Sequence, residues 1–467
     1  MKLRVAGVIV GFLALAVSLP AQTFTTLQSF DSTNGGSPEA GLVEGLNGSL
    51  YGTTQQGGVN SAGTVFAITP AGALTTLYNF CSIGVCADGD DPVAGLALAA
   101  NGDLYGTTPG GGTKGDGTVF KITASGTLTT LYSFCSATAC TDGSHPIARL
   151  VLATNGYLYG TTEVEGAKGG GTVFKITPSG TYTTLYTFCS LANCADGEEA
   201  WGLVQGTNGN FYGTTEGGGA NNVGTVFELT AAGVLTTLHS FDTTDGANPF
   251  AGLIQAANGD FYGTTYIGGA NGEGTAFKIT PTGTLTTLYS FCSGSGCPDG
   301  ANPYDGLVQG TDGNFYGTTY AGGANFYGTV FEITPAGTLT TLHSFDSADG
   351  EETRAGLVQG TNGLLYGTTY AGGEDFSGTV FSLSVSSLGP FAETLPTSGK
   401  VGAAVKILGN DLTGATSVTF NGKTAAFRVT SSSLITTNVP TGATTGFVKV
   451  TTPSGTLTSN TKFRVSP

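Results

Sequence analysis

Short runs of alternating apolar and polar residues, each four to six long and bounded by glycine-rich turns, repeat along the chain at a spacing of 50 to 54 residues. That alternation is the signature of half-buried strands, and no run holds a helical period. Within one period, residues 202 to 241, four strands are predicted: from Gly202, from Asn210, from Gly224 and from Val234. The turn between the first two is Asn-Gly or Asp-Gly in all seven periods, as at Asn47-Gly48, Asn208-Gly209 and Asp312-Gly313, a dipeptide suited to tight turns with positive φ. The third and fourth strands are joined by turns such as Pro70-Ala71-Gly72.

Tyr-Gly-Thr-Thr begins at Tyr51, Tyr105, Tyr159, Tyr212, Tyr262, Tyr316 and Tyr366, and Gly-Thr-(Val/Ala)-Phe follows each, from Gly63 to Gly378. A third block, Thr-Thr-Leu-x-x-Phe, ends at Phe30, Phe80, Phe134, Phe188, Phe241, Phe291 and Phe345, so its first copy precedes the first Tyr-Gly-Thr-Thr. The last repeat therefore lacks a fourth strand, and residues 23 to 30 supply an orphan one. Pairing the two ends would close the array and remove an exposed sheet edge. The prediction is an all-β chain: a seven-bladed β-propeller over residues 22–385, closed by its N-terminal strand, then an immunoglobulin-like β-sandwich over 389–467. The mid-strand glycine of Tyr-Gly-Thr-Thr, for example Gly213, is expected where neighbouring blades approach closely.

Lys2 and Arg4, an apolar run from Val5 to Val17 and the exit Ser18-Leu19-Pro20-Ala21 read as a signal peptide over residues 1–21. A secreted, extracellular or cell-surface protein is expected, with no transmembrane segment in the mature chain and no Cys placed to accept a lipid. Once Lys2 and Arg4 are removed, fourteen basic residues face 32 acidic ones, a net charge of about −18 that excludes nucleic acid as a partner. The charge divides unevenly. From Gly389 onward seven Lys or Arg stand against Glu393 and Asp411, which leaves about −23 on the repeats.

The eight cysteines form four local pairs of one spacing: Cys81 with Cys86, Cys135 with Cys140, Cys189 with Cys194, and Cys292 with Cys297. In an exported chain the recurring spacing makes local disulfides the simplest of the 105 connectivities, and no His or second Cys pair stands by for zinc.

The stretch from Gly306 to Thr319, Gly-Leu-Val-Gln-Gly-Thr-Asp-Gly-Asn-Phe-Tyr-Gly-Thr-Thr, resembles the GloVer repeat of the choice-of-anchor proteins. The resemblance covers residues 23 to about 385 and implies an exported, surface-associated protein with no established reaction. The expected anchor is missing: Leu395-Pro396-Thr397-Ser398-Gly399 departs from a sortase signal, and no apolar tail follows it. Residues 389–467, with Val405-Lys406-Ile407-Leu408-Gly409, Val418-Thr419-Phe420-Asn421-Gly422 and Gly446 to Pro453, are similar to the IPT/TIG domain over essentially its full length.

In a four-stranded blade the loop between strands two and three and the loop between blades share one end of the ring. That end is the candidate binding face, since loops on a rigid scaffold carry function. Its candidates are Asp88, Asp142, Asp196, Asp245, Asp299 and Asp349, each followed by Gly, with His145 and the only tryptophan, Trp201. Asp88, Asp90 and Asp91 are crowded enough to suggest Ca²⁺, but their order does not match an EF-hand and plain turn formation competes. His239 and His343 take the Tyr place of the fourth strand. No catalytic residues and no organic cofactor are expected. The favoured function is a monomeric binding or display protein for polysaccharide or a cell-envelope component. The competing readings are a glycan-active hydrolase or lyase using loop acids such as Glu198, Glu199, Glu351 and Glu352, and a spacer without ligand.

Overall fold

The structure is a computed structural model that describes residues 22–466; the signal-peptide expectation falls on residues outside them. Up to Ser384 the described residues form seven antiparallel sheets of four strands each. In sheet four, for example, the strands run Glu198–Gln205, Phe211–Gly217, Thr225–Leu229 and Leu235–Ser240, hydrogen-bonded in that order.

The ends of the array meet. Thr23–Ser29 pairs antiparallel with Thr379–Ser384, from Thr23 opposite Ser384 to Ser29 opposite Thr379, and completes sheet seven. Phe30 behind it is fully buried and meets Phe66 of sheet one edge to face at 5.2 Å.

Two polar contacts recur between sheets and explain why the repeat keeps its hydroxyls. The first Thr of each Tyr-Gly-Thr-Thr donates its Oγ1 proton to a carbonyl at or just before the first strand of the next sheet: Thr53 to Ala94, Thr107 to Ala148, Thr161 to Trp201, Thr214 to Ala251, Thr264 to Asp305, Thr318 to Ala355 and finally Thr368 to Ala40. The last of these closes the circle. Nearer the opposite end, the inner-strand Gln of one sheet accepts a backbone N–H from the sheet before it, as Gln205 does from Thr154 and Gln359 from Thr311. At the seam Glu44 takes that place and binds both the N–H and the hydroxyl of Thr361 at 2.7 Å. Ring stacking joins neighbours as well, with Tyr159 on Phe211, Tyr212 on Phe261 and Tyr262 on Phe315, all at 4.0 Å.

Gly213 differs from the expectation that it marks an approach between sheets. A Cβ there would meet Phe227 and Leu203 of its own sheet, at 2.7 and 3.0 Å, and the carbonyl of Gly202 at 2.9 Å. Both side chains stand on strands paired directly with Gly213, so the glycine makes room for its cross-strand partners.

Residues 392 to 466 form two further four-stranded sheets and a parallel pair of Ser398–Lys400 with Arg464–Ser466, around one core that includes Ile407, Val418, Phe420, Ile435, Val450 and Phe463. This unit docks on the Asn-Gly turn side of the ring: Arg464 donates to the carbonyl of Thr207 at 2.6 Å, Ser433 to that of Leu46 at 3.3 Å, and the N–H of Phe391 to that of Thr361 at 3.0 Å. Among the described residues no helix is long and apolar enough to cross a membrane.

Candidate functional site

The other side of the ring is built from two loops per sheet. The second-to-third-strand loop donates a backbone N–H to a carbonyl of the loop between sheets, for instance Gly112 to Cys86, Gly219 to Cys194 and Gly373 to Ser347. Four of the loops between sheets carry the expected disulfides, Cys81–Cys86, Cys135–Cys140, Cys189–Cys194 and Cys292–Cys297, which accord with an oxidising compartment.

The Asp-Gly carboxylates hold these loops from inside. Asp88 accepts from the Tyr78 hydroxyl, from the N–H and hydroxyl of Ser82 and from the N–H of Ile83. Asp142 and Asp196 repeat the pattern with Tyr132 and Tyr186, and Asp299 with Tyr289. Where His replaces Tyr, the bond survives: His239 Nε2 lies 2.7 Å from Asp245 and His343 Nε2 2.8 Å from Asp349. Buried carboxylates so fully paired act as loop-forming groups. Asp88, Asp90 and Asp91 do not bring an oxygen each into one ligand-sized cluster.

A different set of residues converges at the centre of this face. One equivalent position near the end of each loop between sheets is a non-glycine residue with positive φ: Ser37, Asp91, His145, Glu199, Asn248, Asn302 and Glu352, at φ from 51° to 57°. Backbone bonds lock this kink: the N–H of His145 donates to Asp116, and its carbonyl accepts from Glu163. The residue after each Tyr-Gly-Thr-Thr and the residues at or just before each first strand then meet one another across sheets, and the surface they form, called the funnel, has two unlike halves.

One half is aromatic. Trp201, Phe250, Tyr266 and Tyr304 contact one another, with centroids 5.3 Å apart for Trp201 and Phe250, 4.9 Å for Phe250 and Tyr266, and 5.2 Å for Phe250 and Tyr304. Arg354 continues the wall, 3.6 Å over the Tyr370 ring and 5.8 Å from that of Tyr320, and is ion-paired with Glu39 across the seam. The other half is acidic. Trp201 Nε1 donates to Glu216 at 3.4 Å. Burial and the neighbouring Glu199 push the Glu216 carboxyl up to about 7, with Glu163 adding to the rise against the Trp201 bond. Burial also raises Glu163, which His145 opposes, and Glu199, to which Glu198 adds.

Arg149 stands where the other six sheets have a glycine, as at Gly41, Gly202 and Gly356, and its side chain lies against Gly95 of the neighbouring sheet. Its side chain is exposed to solvent although protein crowds it on many sides. Burial lowers its pKa, while Glu393 of the C-terminal unit and Asp305 hold it up.

Of the residues singled out from sequence, Trp201, His145, Asp91, Glu199 and Glu352 reach the funnel, and the six Asp of the Asp-Gly turns do not. Phe250, Tyr266, Tyr304, Tyr320, Tyr370, Arg354, Glu39, Glu163 and Glu216 were missed. Their signal is columnar: the position after Tyr-Gly-Thr-Thr reads Gln55, Pro109, Glu163, Glu216, Tyr266, Tyr320, Tyr370, divergence inside a constant frame.

Glu216 gives a pH prediction. Its folded pKa lies above that of an unfolded glutamate, so its contribution is fully present near pH 4 and is lost as pH rises through 7. Glu216→Gln is expected to melt higher than the parent at pH 8 and equally at pH 4.5 in parallel thermal scans.

Among known structures, the chain is similar to the periplasmic gluconolactonase of Pseudomonas aeruginosa, at 17% identity over 63% of this chain and 81% of that one, with a TM-score of 0.42. A putative 6-phosphogluconolactonase from Bacteroides uniformis matches at 17% identity over 63% and 81%, with a TM-score of 0.41. A putative oxidoreductase (glucose dehydrogenase) from Thermus thermophilus matches at 14% over 78% and 100%, with a TM-score of 0.40. No curated protein matches the sequence. The Gloeobacter/Verrucomicrobia repeat family matches residues 11–146, 136–298 and 293–426, so that most of the length is accounted for, and the chain belongs to that family.

Proposed function

We propose that this is an exported, extracellular or cell-surface protein that binds polysaccharide without transforming it. The fold is a seven-bladed propeller closed by its N-terminal strand and carrying an IPT/TIG-type immunoglobulin-like unit. The ligand enters the funnel on the loop face. One observation carries the reading: aromatic side chains from sheets four to seven gather on the loop face, where they touch one another and are only partly buried. Amphipathic rings of that kind suit the apolar faces of sugars, while the carboxylates opposite offer acceptors to hydroxyls. The C-terminal unit, with its excess of basic residues, occupies the opposite side and leaves the funnel free.

A glycan array probed with the chain from residue 22 tests this. Binding is expected, and Trp201→Ala and Tyr304→Ala should each weaken it by about tenfold or more, the cost of removing a central aromatic anchor. Release of products from the bound glycan would move the protein to the glycan-active enzymes. Silence across the array would leave it a spacer.

A further inference from the structure

Two phenylalanines on the loop face resist any structural explanation. Phe326 and Phe376 occupy equivalent places in the second-to-third-strand loops of sheets six and seven, 67% and 70% exposed, with φ of 71° and 56°. The other five sheets place Ser61, Gly115, Gly169, Asn222 and Gly272 there, also at positive φ. A bulky side chain in the left-handed region is a genuine outlier. Neither burial nor backbone preference repays it, so folding alone would favour glycine. Tyr327, 37% exposed, adds a third ring to the first of these loops. The same two loops begin with Tyr320 and Tyr370, which meet Arg354 in the funnel wall, so each carries one aromatic within that wall and another that is exposed. Phe326 lies beside the disulfide loop between sheets five and six, its ring 3.6 Å from where a Gly296 Cβ would stand.

We propose that Phe326, Tyr327 and Phe376 form an outer sugar-binding subsite, so that an uncharged polysaccharide lies across sheets six and seven with one portion in the funnel and the next on these rings. The proposal rests on the funnel reading. Continuity within the two loops favours a polymer that spans both places. The acids on and beside them, Glu351, Glu352, Glu374 and Asp375, disfavour an anionic polymer or an anionic membrane.

The test uses the double variant Phe326→Gly/Phe376→Gly in the full mature chain, with cellulose, chitin, xylan and dextran and the disaccharide of whichever binds best. The double variant is expected to bind the disaccharide as the parent does, to bind the polymer at least about tenfold more weakly, and to melt at the same or a higher temperature. Unchanged polymer affinity overturns the outer subsite and leaves the funnel standing. A lower melting temperature makes the rings structural and overturns it too. A parent that binds none of the four polymers overturns the funnel and the subsite together. Binding of the parent to phosphatidylcholine vesicles, lost in the variant, would replace sugar with lipid as the occupant.

Discussion

A chain lacking residues 23–30 is expected to lose its sharp melting transition, or to melt at least about 10 °C lower, in calorimetry or circular dichroism. The deletion strips the ladder from Thr379–Ser384 and leaves sheet seven with three strands. It also removes the fully buried Phe30, and Phe24, which stacks on His343 at 3.8 Å and meets Phe381 at 5.1 Å. A buried Phe such as Phe30 is worth about 3–5 kcal/mol and the half-buried Phe24 less, so with the ladder the loss reaches into the whole net stability of an ordinary domain, about 5–15 kcal/mol. The loss is not confined to one sheet. Without closure, the seam contacts of Thr368 with Ala40 and of Glu44 with Thr361 join ends that are free to separate. A synthetic peptide of residues 23–30 should restore part of the transition when added in excess, since the vacated edge of Thr379–Ser384 keeps its hydrogen-bonding pattern. An unchanged melting curve would mean that the ring does not depend on its terminal strand.

What could be seen in the sequence divides along a physical line. Strand periodicity and turn chemistry are local, so the four strands of each repeat, the Asn-Gly turns and the complementary ends are all visible in the residues themselves. Local disulfides are visible for the same reason. Direction is not. A recurrent Asp on an acidic loop looks like a surface ligand, whereas Asp88 and its counterparts turn inward to collect N–H and hydroxyl donors. Conserved spacing marked the frame, and the frame is what these acids serve. The funnel arises where the repeats disagree, from residues in different sheets brought together only by closure: Trp201 and Glu216 in sheet four, Tyr304 in sheet six, Arg354 in sheet seven and Glu39 in sheet one. Alternation at period two cannot foresee such a gathering, because it reports which face a side chain takes and not which sheets become neighbours. Reading down the seven aligned positions, and not along the chain, is what would have exposed it.

Gly213→Val should lower stability by about 3 kcal/mol or more, measured by urea or thermal unfolding. The added Cβ would lie 2.7 Å from Phe227 Cζ and 2.9 Å from the carbonyl oxygen of Gly202, closer than side chains tolerate, and the two γ-methyls of Val would crowd further. Phe227 has no room to retreat: it is fully buried and held edge to face by Phe188 of the preceding sheet at 5.3 Å. Gly84→Ala serves as the comparison, because a Cβ there meets nothing within 4 Å, and its effect should stay within about 0.5 kcal/mol. The clash can also be located. If it falls on the cross-strand partner, shortening that partner must relieve it, so Gly213→Val combined with Phe227→Leu should be less damaging than the two separate losses added together. Strict additivity would place the strain elsewhere, at the approach between sheets suggested by the mid-strand glycine alone.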